Sequence, residues 1–186
     1  MAGTSGMRDG LWVFGYGSLL WNPGFPVADR RLARLDGWHR SFCMRSIHHR
    51  GTETEPGLVL ALDSMPGASC HGLALRAETG TEADTLAYLR ERELISSAYL
   101  ETEVEVTFED GPGVQTVLAY VIDPEHVQYC GGLPLEDQAE IIARARGGMG
   151  PNDEYLFNTA AHLAELGIED ADLSWLADRV RAMSRL

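Results

Sequence analysis

A chain of 186 residues, 45% of them hydrophobic and 23% charged, is long enough to bury a full core and fits one domain better than two, here residues 11–186 behind a flexible tail of residues 1–10. Its 28 acidic residues against 15 basic ones leave a formal charge of −13, which argues against a nucleic-acid partner or an anionic membrane surface. No apolar run approaches the ~20 residues of a membrane span, and Met1–Gly10 lacks the apolar core of a secretory signal, which points to the cytoplasm.

Trp12, Val13 and Phe14 read as a buried strand that runs into Gly15-Tyr16-Gly17-Ser18-Leu19. The two glycines permit backbone approaches that a Cβ would block, and such a turn presents bare N–H donors to a polar group. A strand ending in an ordinary tight turn is the competing reading. A dinucleotide fingerprint would need glycine where Leu20 stands, and a nucleophile elbow would need glycines in place of Tyr16 and Leu20 around Ser18.

Asn22–Pro26, with two prolines and a glycine, is a loop, and the alternation within Ala33–Ile47 favours a strand. His48 and His49 are adjacent, and side chains at i and i+1 diverge, so they make a poor zinc site. Arg50 offers a guanidinium fork suited to a carboxylate, or else supports the fold from the surface. Gly57–Leu62 and Cys70–Leu75 are short apolar runs separated by Asp63-Ser64-Met65-Pro66-Gly67, which predicts a two-stranded hairpin. Cys43, Cys70 and Cys130 lack paired spacing; they read as small buried hydrophobes in a reducing compartment.

Thr81, with Asp84 three positions on, predicts a short-armed capping box opening a helix to about Ile95. At 100° per residue Glu93 projects between Leu86 and Leu89, on the face shared by Ala83, Leu86, Leu89 and Leu94, whereas Glu91 lies roughly 160° away. A carboxylate on an apolar face is costly to ionise, so its pKa rises and it becomes a candidate general base. The alternative is a frayed helix end with Glu93 bridged to Arg90 or Arg92.

Glu101–Phe108 alternates as a half-exposed strand, Asp110–Gly113 is a turn, and Val117–Ile122 is apolar on both faces, placing the Tyr120 phenol inside in either a structural or a functional role. Helices follow from about Leu135, from Asn152 to the stop at Gly167, and over about Leu173–Met183. Strands, one helix, strands, then helices indicate an α+β fold with mostly antiparallel strands.

Taken together, Val13-Phe14-Gly15-Tyr16-Gly17-Ser18-Leu19, Gly37-Trp38-His39-Arg40, Arg50-Gly51-Thr52, Pro56-Gly57, Arg92-Glu93 with Tyr99, and Asn152-Asp153-Glu154-Tyr155-Leu156-Phe157 resemble the ChaC family of γ-glutamylcyclotransferases from about Leu11 onward. The resemblance implies a small, mostly antiparallel β-barrel flanked by helices, with no metal or organic cofactor. It implies a lyase-type enzyme that degrades glutathione to 5-oxoproline and cysteinylglycine. It maps substrate binding onto Val13–Leu19, with Arg50 and Tyr120 in or near the pocket, and the catalytic carboxylate onto Glu93. Leu94–Tyr99 departs from the Gly-Gly-Tyr turn of some animal members and is closer to the bacterial branch. Alternatives are a cyclotransferase for other γ-glutamyl amines or dipeptides, a silent γ-glutamyl-metabolite binding module, and a metal hydrolase using His48 and His49.

Overall fold

Three large apolar residues ahead of a glycine form β1 (Trp12–Gly15), a strand buried along its whole length. The computed structural model describes residues 10–94 and 97–185. After β1 come α1 (Ser18–Trp21), β2 (Val27–Ser46), β3 (Gly57–Ala77), α2 (Glu82–Glu93), β4 (Tyr99–Phe108) and β5 (Val114–Ile122). The chain then continues through α3 (Leu135–Arg144), β6 (Arg146–Gly147), β7 (Gly150–Pro151), α4 (Asn152–Glu165) and α5 (Ala171–Met183). Five strands close into a barrel in the order β1-β3-β2-β4-β5, and closure leaves no free sheet edge. Its one parallel contact among the described pairings is β1 on β5, Val13 opposite Leu118. This is the α+β, mostly antiparallel barrel expected from the order of elements and from the family resemblance.

The chain divides into two compact units, Met1–His39 with Ser64–Asp123 and Arg40–Asp63 with Pro124–Leu186, and β2 and β3 contribute residues to both. In the first unit β1 pairs antiparallel with β3, Gly15 opposite Leu73, and β4 pairs with β5, Glu101 opposite Tyr120. Gly72 has to be glycine because a Cβ there would collide with the Gly15 carbonyl and press on the Phe14 ring. In the second unit the fully buried Asn152 side chain acts as a strand partner. Its Oδ1 accepts from Leu58 N and its Nδ2 donates to Leu58 O, both at 2.8 Å. Buried Arg40 reaches Asp170 at 2.9 Å, and the same carboxylate caps α5 by accepting from Leu173 N at 3.0 Å.

Several expectations are corrected. The stretch Asp63–Gly67 does not break the chain into a hairpin; β3 runs unbroken for 21 residues. Ser64, Met65, Pro66 and Gly67 are solvent-exposed, so that polar residues and a proline are tolerated there, and Gly67 takes φ +88°. Thr81 does not cap α2 with its side chain: its φ/ψ of −104°/5° is not the extended cap geometry, and its Oγ1 donates to Glu78 O at 2.7 Å. The buried face of α2 centres on Thr85 and Leu89 while Ala83 is exposed, a shift that still leaves Glu93 about 40° from Leu89. The expected end of α2 at Ile95 lies outside the described residues, as does the tail up to Asp9. Gly167, at φ +72°, does end α4.

Cys43 and Cys70 are buried, Cys130 is half-buried, and burial pushes the Cys43 thiol up to about 12. No described helix is long and apolar enough to cross a membrane.

Candidate active site

The first unit brings the glycine turn, the end of α2 and the middle of β5 together. Val13 and Phe14 are fully buried, and Leu19 and Leu20 anchor α1 in the core. The expected turn therefore continues into a single helical turn, with Leu20 N donating to Gly17 O and Asn22 N donating to Ser18 O. The opening N–H groups of such a turn have no acceptor within it.

This loop is tied down on two sides. Tyr16 donates its phenolic proton to the backbone oxygen of Tyr120 at 2.6 Å, fastening the loop to β5. Ser18 Oγ accepts from Arg92 Nη2 at 3.0 Å, fastening it to α2. Arg92 also donates through Nη1 to Asn22 O at 2.6 Å, to Pro23 O at 3.1 Å and to the Tyr88 hydroxyl at 3.1 Å.

Arg92 Nε lies 3.3 Å from Glu93 Oε1, and the Glu93 side chain is 14% exposed. Burial pushes the Glu93 carboxyl above the usual carboxylate range, and the Arg92 guanidinium pulls it partway back. Glu93 is a mostly buried carboxyl and is also paired with Arg92, so the expected ion pair is present without exposing the carboxyl at the helix end. Glu91 is exposed.

Tyr120 is 1% exposed and its phenol donates to Glu101 Oε1 at 3.0 Å. Arg90 holds that carboxylate with Nε at 3.2 Å from each oxygen and Nη2 at 3.0 Å from Oε2. Burial, followed by the Glu101 charge and hydrogen bond and the Glu93 charge, drives the Tyr120 phenol well above its ordinary value. A phenol has one proton, so with Glu101 holding it Tyr120 is left as an acceptor.

Arg50 belongs to the second unit. Its Nη1 donates to Pro151 O at 3.0 Å and to Glu154 Oε2 at 3.4 Å, its guanidinium lies 5.7 Å from the Tyr155 ring centroid, and its backbone N donates to Ser46 Oγ at 2.9 Å. These contacts tie Arg50 to β7 and α4 within that unit. His48 and His49 are not part of any cluster of three metal-ligating side chains among the described residues.

Two residues escaped the sequence reading. Glu101 looked like one of three glutamates on a solvent face, but the β4–β5 register sets it opposite Tyr120, and directly opposed residues share a face. Counting outward from the Asp110–Gly113 turn would have set Ile122 opposite Glu101, because the register closes with Phe108 N donating to Gly113 O and runs two residues tighter. Arg92 was visible only as an ion-pair partner and as part of the Arg92-Glu93 motif, because its acceptors Asn22 O, Pro23 O and Ser18 Oγ lie 69 to 74 residues away. A cavity of about 690 Å³ is lined by Leu11, Trp12, Leu86, Arg90, Glu101 and Val117 among others. It meets the Arg90–Glu101 pair but includes neither Glu93 nor any of Gly15–Leu19, so this void and the buried carboxyl are different places.

Comparison with known proteins adds a family match and close relatives. Residues 11–183, which run through both units, match the family described as ChaC-like protein. A glutathione-specific γ-glutamylcyclotransferase of Escherichia coli is 36% identical over 173 residues, covering 93% of this chain and 74% of that protein. A human glutathione-specific γ-glutamylcyclotransferase 1 is 34% identical over 183 residues, covering 97% and 82%. The crystal structure of a yeast γ-glutamyl cyclotransferase specific to glutathione superposes with a TM-score of 0.83 at 24% identity, covering 92% of this chain and 96% of that one, a likeness of fold.

Proposed function

This chain belongs to the ChaC-like family, and we propose that it is a γ-glutamylcyclotransferase that cleaves glutathione to 5-oxoproline and cysteinylglycine, with Glu93 as its catalytic base and acid. The observation that carries the assignment is the mostly buried Glu93 carboxyl, its proton affinity raised by burial, set beside an arginine that grips Ser18 of the glycine turn.

The reaction is an internal acyl transfer. The α-amine nitrogen of the γ-glutamyl group bonds to its own γ-carbonyl carbon, and the bond from that carbon to the cysteine nitrogen breaks. Holding amine and carbonyl about 3 Å apart supplies on the order of 7 kcal/mol or more of the barrier, and this positioning is the task of Val13–Leu19. An α-amine with a pKa near ~8 is largely protonated at neutral pH, so a base must take a proton from it. The ammonium must lose two protons to become the lactam N–H: the first leaves to solvent by way of Glu93 as the amine is freed, and the second passes through Glu93 during ring closure to the leaving nitrogen, which cannot depart as an anion. The Tyr120 oxygen, its own proton given to Glu101, accepts from the substrate ammonium. The oxyanion falls to the backbone N–H groups of the turn.

Tyr120 and the Val13–Leu19 segment thus bind the γ-glutamyl head, and Arg50 supports the fold. The partner is a small molecule, and three cysteines without paired spacing, Cys43, Cys70 and Cys130, suit a reducing, cytoplasmic setting. Incubation with glutathione and detection of 5-oxoproline and cysteinylglycine tests reaction and substrate together. Turnover of γ-glutamyl-alanine in preference to glutathione would move the assignment to another γ-glutamyl substrate, and turnover of neither would leave a binding module.

A further inference from the structure

A guanidinium carries five N–H donors in one plane. Arg92 engages all three of its nitrogens: Nη1 with Asn22 O, Pro23 O and the Tyr88 hydroxyl, Nη2 with Ser18 Oγ, and Nε with Glu93 Oε1. A planar fork held at three points has one placement, so the spacing of Ser18 and Glu93 follows from it. A hydroxyl that accepts from a cation turns its own hydrogen away from that cation, so the Ser18 proton is directed away from Arg92 and is free to be donated elsewhere.

We propose that Arg92 is a positioning residue for the reaction: it holds the Ser18 hydroxyl of the turn and sets its own positive charge against the Glu93 carboxyl, so that turn and base act as one unit. This rests on the reading of Glu93 as the base. Among the described residues the charge that bears on Glu93 is Arg92, from its own helix; Glu93 in turn bears electrostatically on Tyr120 of β5, whose phenol bonds Glu101 and through it meets Arg90. Tyr120 is neutral at ordinary pH, and the Arg90 charge is matched by Glu101. Arg92 is therefore the cation that sets the balance among the described residues.

The test compares the pH dependence of kcat/KM for glutathione in wild type, Arg92→Gln and Arg92→Lys. An opposite charge within ~4–6 Å favours the ionised carboxylate by about one pH unit or more, so in Arg92→Gln the acid limb moves up by about that much. In Arg92→Lys the charge stays and the limb holds its wild-type position, but KM rises several-fold because an ammonium cannot span the same acceptors. Ser18→Ala costs less in the Arg92→Gln background than in wild type, as expected of coupled residues.

An acid limb that stays put in Arg92→Gln overturns the proposal, as does independent multiplication of the Ser18 and Arg92 effects. Should Arg92→Gln not fold, Arg92→Lys decides: wild-type KM there also overturns it. The underlying reading fails in a different way, by a wild-type enzyme inert toward glutathione or by a Glu93→Gln variant that retains its activity.

Discussion

The phenolic proton of Tyr120 is held by Glu101 Oε1 at 3.0 Å, and Arg90 pins that carboxylate with both of its reachable nitrogens. The three residues form a chain running from an exposed arginine to a buried tyrosine oxygen, with the direction of the proton fixed along it. Neutrality of the phenol follows, and so does the availability of its oxygen as an acceptor.

Tyr120→Phe removes that acceptor and leaves the ring. Hydrogen bonds to charged groups are worth about 1.5–3 kcal/mol, so kcat/KM for glutathione is expected to fall roughly ten- to hundredfold with circular dichroism unchanged. Wild-type kinetics in this variant would assign the phenol to structure alone.

Glu93→Gln is expected to lower kcat by about 10²–10⁴, the range of general acid–base catalysis, and to raise stability at neutral pH. A carboxyl whose folded pKa is raised contributes stability that is complete below its unfolded value near ~4.3 and is lost as pH rises through the folded value. Glutamine stays neutral and keeps that contribution. The Tm difference between variant and wild type should therefore be near zero in acid and open with rising pH, to roughly 2–4 °C if ~1 kcal/mol is involved. A thermal melt series over pH would show it, and a gap that narrows with rising pH would contradict the cause assigned to the Glu93 shift.

Glu91→Gln should leave both kcat and KM within about twofold of wild type and Tm nearly unmoved, since the side chain is exposed and surface substitutions cost little. Severe loss of turnover there, with Glu93→Gln intact, would exchange the roles of the two glutamates.

Asn152→Ala strands the N–H and C=O of Leu58 in the interior. Each orphaned buried group costs about 1–3 kcal/mol, so chemical denaturation should show a loss of roughly 2–5 kcal/mol. A smaller loss would mean that water takes over both bonds.

The sequence carried the fold where periodicity was strong. Phe14, Val106 and Val117–Ile122 announced strands because their neighbours alternate or are uniformly apolar, and Gly167 announced a helix stop because left-handed φ is cheap only for glycine. Pro66-Gly67 misled because turn chemistry is local information, whereas a barrel strand can carry a proline wherever it faces solvent. Within the candidate site, Glu93 was found from helix phase, which needs only the residues of α2. The Arg90–Glu101–Tyr120 chain and the Arg92 contacts were not, because register and side-chain reach across 11 to 74 residues are properties of the folded chain.

The Asn152 amide also sets a condition on how the protein is made. Leu58 leaves the ribosome 94 residues before the side chain that completes its hydrogen bonding, an interval of about 5–19 s at ~5–20 residues per second. Throughout that time all of Ser64–Asp123 is being synthesised, and the nascent Arg40–Asp63 segment waits for Pro124–Leu186. The first unit has all its residues before the second does, and a chain halted short of residue 152 would expose an unpaired strand to chaperones and proteases.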